Sequence, residues 1–160
     1  MSKWRSDEEI QAKLNEIAEQ LKMSTTYVDP QGTILINGGA HNPLCALIRA
    51  KEDSLNFICS LTSQRMLKEV KTSGKSLIDF CELGLLRFVV PIFSEGEMIG
   101  AFTGCGTWHP EESIDSFFVS KQLEIEENKA EDLIETVARA DPEKVKQVVE
   151  KTMEWINEKS

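Results

Sequence analysis

Near the amino terminus, apolar residues recur at Ile10, Leu14, Ile17 and Leu21, a three-to-four spacing that places them on one stripe of a helix. Ser6, followed three positions later by Glu9, forms a capping box that starts it. The period then changes. The stretch "TTYVDPQGTILIN" sets Asp29, Pro30, Gln31 and Gly32 between two β-branched runs. Proline suits the turn and glycine takes positive φ, so a hairpin is predicted. Helices over 43–50 and 53–71 are predicted next, each with one cysteine, and "TSGKS" separates them from a short strand near 76–81. On the following strand Leu86, Phe88, Val90 and Ile92 share one face, and "SEGE" turns the chain into "MIGAFTGCGTW". This alternation predicts antiparallel pairing.

Strand patterns stop after residue 113. Phe117, Phe118 and Val119 mark one short helix, and Leu133, Ile134 and Val137 a second. Asp141 caps a last helix with Pro142 at its first position and Val145, Val148, Val149, Met153 and Ile156 along one side. The order of elements implies an α+β fold, an antiparallel sheet of about five strands with inserted and terminal helices. The first and last helices are expected to pack together, with Trp4 and Trp155 at neighbouring ends.

The chain of 160 residues suits one domain, 1–160, with a single core. Its 18 basic and 27 acidic residues leave a net charge of -9, which disfavours nucleic acid and anionic membranes as direct partners. No apolar run approaches the roughly 18 residues of a spanning helix, and "MSKWRSDEEI" lacks a signal core, so a cytoplasmic location is expected. Cys45, Cys59, Cys81 and Cys105 contain no C-x-x-C, and in that compartment they are expected to stay reduced.

Motif matches to known chemistry fail on context. In "SGKS" the earlier glycine of a phosphate-binding loop falls on Glu69, and in "GCG" the third glycine of a dinucleotide fingerprint falls on His109. No G-x-S-x-G occurs. His41 and His109 read as loop residues, because neither has the paired spacing of a metal motif. Each cysteine taken alone reads as a small core residue. Taken together, Cys45, Cys59 and Cys81 are expected to face one enclosed volume, with Cys105 nearby.

The stretches "YVDPQG", "NPLCALIRA", "FICSLTSQRM" and "FCELGLLRFVVPIFSEGEMIGAFTGCG" resemble the PocR sensory domain, a PAS-like variant also close in design to GAF domains. The likeness runs from about residue 8 to 157. It implies a PAS-like sheet and a small-molecule sensor, of the kind joined to DNA-binding or signalling modules and suggested to take small hydrocarbon derivatives such as diols. Cys45, Cys59 and Cys81 match the family's cysteine positions. Cys105 departs from them, since the family more often has glutamine between these glycines.

The expected function is therefore binding of a small, partly apolar organic ligand, without catalysis, with output through a signalling or regulatory protein. The candidate contacts are Cys45, Cys59, Cys81, Cys105, Tyr27 and Phe102, and the terminal helices offer a surface for a homodimer. No cofactor or metal is expected. The alternative is a metal, haem or redox sensor built on Cys45, Cys59, Cys81 and Cys105. An enzyme on the same fold is the third reading, and no nucleophile motif names a reaction for it.

Overall fold

The computed structural model describes residues 4–158. Helix α1 (Asp7–Leu21) starts at the expected capping box, in which the Glu9 amide donates to the Ser6 hydroxyl at 3.2 Å. Strands β1 (Ser24–Val28) and β2 (Ile34–Gly38) follow as the hairpin. Its turn is closed by Asp29, whose Oδ1 accepts from the amides of Gln31 and Thr33, both at 2.9 Å. Gly32 adopts φ +93° there, a conformation most other residues resist.

Helices α2 (Pro43–Ala50) and α3 (Glu52–Ser54) lead through a π-helical turn, Leu55–Ser60, into α4 (Leu61–Ser73). The sequence predicts one regular helix over 53–71; the structure instead widens its first half. Strands β3 (Leu77–Phe80), β4 (Leu85–Ser94) and β5 (Glu97–Trp108) come next, then α5 (Ser116–Leu123), α6 (Glu127–Glu135) and α7 (Pro142–Asn157). The five strands form one antiparallel sheet in the order β2-β1-β5-β4-β3, as the α+β reading expects.

The two faces of this sheet are covered differently. Leu86, Phe88, Val90 and Ile92 of β4 and Phe102 of β5 pack beneath α1 and α7, joining Ile10, Leu14, Ile17, Val145 and Val149 in one cluster. The terminal helices meet there, with the Trp4 and Trp155 rings edge to face at 5.6 Å and the Arg5 guanidinium 3.7 Å over Trp155. On the opposite face α4 covers Val28, Val89 and Ala101 with Met66, Leu67 and Val70. A third cluster joins α2, the π turn, α5 and α6 through Leu44, Ile48, Ile58, Val119, Ala130 and Ile134. Between these last two clusters β1, β5 and β4 present polar side chains, and the face is left incompletely filled. Among the described residues no helix is long and apolar enough to cross a membrane.

Candidate functional site

The gap is a partly enclosed cavity of about 170 Å³. Its floor is set by strand parity: successive residues point to opposite faces, so Ser24, Thr26 and Val28 of β1 and Thr103 and Cys105 of β5 point into it. Cross-strand register aligns them in rows, Ser24 opposite Cys105 and Cys105 opposite Arg87 in one, Thr26 opposite Thr103 in the next. The Thr26 and Thr103 hydroxyls bond each other at 2.5 Å, and the Ser24 hydroxyl lies 3.7 Å from the Cys105 sulfur. Just beyond Cys105 the pairing slips, because Leu86 opposes Thr107 while Arg87 opposes Cys105. Gly106, at φ +112°, is the extra residue of this bulge.

The cover comes from the hairpin, the loop before α2, α2 itself and the widened helix, which contribute Ile34, His41, Arg49, Leu55, Cys59 and Ser60. Asn42 ties this cover to the sheet. Its Oδ1 accepts from the Cys45 amide at 2.8 Å at the start of α2, and its Nδ2 donates to the Gly106 carbonyl at 3.0 Å across the bulge. The far end is tied by Lys51 and Ser54, which both donate to the Gln122 carbonyl, at 3.0 and 3.1 Å. The π turn has its own consequence: it turns Leu55, Cys59 and Ser60 toward the cavity while Ile58 stays in the core.

Charge in the cavity is one-sided. Arg87 is only 7% exposed and its Nε has no hydrogen-bond partner. Arg49 reaches the same space from α2. The His41 Nδ1 is likewise buried without a partner, and burial, followed by the charge of Arg49, lowers the pKa of the ring. The sequence passes over Arg87, although a single charge inside "LLRFVVPIF" is the signal that would find it.

The sequence profile of the sensory domain found in PocR matches residues 6–158. The chain belongs to the PocR sensory-domain family. Comparison with curated protein sequences gives no match. Among solved structures, an IclR homolog from Microbacterium hydrocarbonoxydans complexed with 4-hydroxybenzoate is 13% identical over 76% of this chain and 63% of its own, with a TM-score of 0.35. The inducer-binding domain of a double mutant of the PobR transcription factor from Acinetobacter, in complex with 3-hydroxybenzoic acid, is 15% identical over 81% of this chain and 97% of its own, with a TM-score of 0.34.

In this PocR domain all four cysteines are free thiols, and Cys45, Cys59 and Cys81 pack against one hydrophobic cluster with Leu44, Ile58 and Leu83, but only two of the four line the cavity. Cys59 and Cys105 line the cavity. Cys45 lies behind the bulge, its sulfur 3.8 Å from where a side chain on Gly106 would begin, and Cys81 opens onto a separate groove with Leu83, Ser113 and Phe118. Cys81 sits beyond the end of β3, in the turn that Gly84 closes at φ +91°. Tyr27 and Phe102 face the other way. They pack edge to face at 5.8 Å on the side of the terminal helices, because each is an odd number of positions from the cavity residues of its own strand.

Burial sets the chemistry of these thiols. It pushes Cys45 far above the usual thiol range, with Cys105 and Cys81 adding to the effect, and it raises Cys59 against the opposing pull of Arg49 and Arg87. Cys81 is pushed from 9.0 up to about 11, again chiefly by burial. Among the described residues no three His, Cys, Asp or Glu side chains are grouped to hold a metal ion. A folded-state pKa above the unfolded one means that the contribution is whole below the unfolded pKa and is lost as pH rises through the folded one. Stability should therefore fall between pH 9.0 and about 11 as Cys81 ionises. Tyr27, raised from 10.0 by burial and then by Asp7 and Asp29, adds in the same direction. Thermal melts across this range should show the loss, and Cys81→Ala should flatten it. A melting temperature unchanged up to pH 11 would contradict the assignment.

Proposed function

We propose that this PocR domain is a sensor that binds a small, partly apolar organic molecule in the cavity between the β1–β5–β4 face and its helical cover, without transforming it. The observation that carries this reading is a partly enclosed space of about 170 Å³ at the centre of an otherwise close-packed sheet face. An engineered apolar cavity of about 150 Å³ holds benzene, so the volume suits a molecule of that order. Two of its boundaries can respond to an occupant. The π turn is a rare departure from regular helix of the kind frequent at functional sites, and β5 carries Thr103 toward the cavity and Phe102 against the aromatic cluster of the terminal helices. Filling the space biases the packing of α1 and α7, and a signalling or regulatory protein reads that bias. Occupancy shifts it only by its differential affinity for the two arrangements.

Catalysis lacks support at this site. Among the described residues no serine or cysteine of the cavity hydrogen-bonds a histidine, the pairing that activates a nucleophile. The metal, haem or redox alternative draws less support than ligand sensing, because thiolate is the ligating and nucleophilic form and burial favours the thiol at Cys45, Cys59 and Cys81.

Thermal melts with a panel of small alcohols, diols, amines and carboxylic acids test the reading. A true ligand should raise the melting temperature with concentration, stabilising the fold by about 2.7 kcal/mol at a hundred times its dissociation constant. Proton NMR should then recover that ligand unchanged after prolonged incubation. Accumulation of a product would replace sensing with catalysis.

A further inference from the structure

We propose that the cavity selects the carboxylate of a small organic acid, held by Arg87 from the sheet and Arg49 from α2. The inference rests on the cavity being the ligand site. Arg87 stands in the interior of a strand, buried to 7% exposure, and neither arginine has an ion-pair partner among the described residues. Its Nε is unpaired in a cavity that it lines. A buried guanidinium without a counter-charge is costly, and among the described residues no Asp or Glu lines the space; the one carboxylate in register with Arg87, Asp79 across the strand on β3, is ion-paired with Arg65 at 2.9 Å. Against the burial that raises the Cys59 thiol pKa, both guanidiniums also pull it down, so the two positive charges converge on one region.

Arginine suits a carboxylate for geometric reasons. Its planar fork of N–H donors matches the two oxygens, and such charge-assisted bonds are about twice as strong as neutral ones. Inside a protein of net charge -9, a small positive pocket also gives selectivity against cations. The rest of the lining sets the other end of the ligand. Val28, Ile34 and Leu55 offer apolar wall, which suits a short alkyl or phenyl tail and leaves much of the space unused by inorganic phosphate.

Matched probes separate charge from shape. Benzoate, benzamide and benzamidine share one outline and differ in charge; butyrate and butyramide repeat the comparison with an alkyl tail, and inorganic phosphate tests the anion alone. In thermal melts and calorimetric titrations, benzoate and butyrate should bind about tenfold more tightly than their amides, with no shift from benzamidine. Arg87→Met should reduce the acid-to-amide ratio to near one, while the variant without ligand melts at or above the parent, because an uncompensated buried charge has been removed. Arg49→Gln, on a half-buried position, should lower the same ratio independently. Amides that bind as tightly as the acids would overturn the carboxylate inference and leave the cavity as a ligand site. A stronger response to phosphate than to either acid would overturn it as well, as would a preference for acids that survives Arg87→Met. If none of the probes binds, the inference fails, and the wider panel of neutral alcohols and diols decides separately whether the cavity is a ligand site.

Discussion

Phe88→Ala is expected to cost the fold about 3–5 kcal/mol, the range for removing a fully buried aromatic ring. Phe88 is 1% exposed and sits in the layer shared by β4, β5, α1 and α7. Its neighbour across the strand is Gly104, and a β-carbon there would come within 2.2 Å of the Phe88 ring. The glycine exists to admit the ring, so nothing on β5 can fill the space once the ring is gone. Against a usual total of about 5–15 kcal/mol, the loss is a large fraction of the stability. The same contact predicts the reverse error: Gly104→Ala should destabilise by about 1–3 kcal/mol through overpacking. Urea unfolding with an unchanged slope measures both. A loss below about 1 kcal/mol for Phe88→Ala would mean that the terminal helices close over the void, and that they are not fixed by this ring.

The terminal-helix side of the molecule was the legible side. Capping at Ser6 and Asp141, the turn at Asp29 and the row Leu86, Phe88, Val90, Ile92 each depend on local chemistry or on period, and each appears where the pattern puts it. The other face was harder, because both sides of β4 are covered and period alone distinguishes no solvent face there. Arg87 is one charge in that apolar run, and period alone does not mark it as a cavity residue. Tyr27 and Phe102 illustrate a simpler point. Phe102 and Cys105 are three positions apart on a strand that is regular between them, so parity alone already separates the faces they occupy. The π turn LNFICS leaves no composition signature, since apart from Leu55 its residues are middling helix formers that also occur in regular helices, and the widening depends on tertiary packing. Cys81 lies outside the cavity because β3 ends one residue earlier than its pattern implies, and the thiol turns with the chain at Gly84.

Enlarging Cys105 should abolish binding while leaving the fold in place. Cys105 is at the centre of the cavity floor, between Ser24 and Arg87 in the register. A phenylalanine there projects its ring into the 170 Å³ that a ligand would occupy. In a filled core the added volume costs about 1–3 kcal/mol, and an empty space reduces that strain. Binding should weaken at least about a hundredfold, equivalent to about 2.7 kcal/mol. Cys81→Phe is the matched control, because that side chain faces the groove with Leu83 and Phe118 instead. The decisive measurement is calorimetric titration of benzoate into the parent, Cys105→Phe and Cys81→Phe proteins, each verified as folded by its circular dichroism melt. The account predicts binding to the parent and to Cys81→Phe and its loss in Cys105→Phe; equal binding by parent and Cys105→Phe would contradict it.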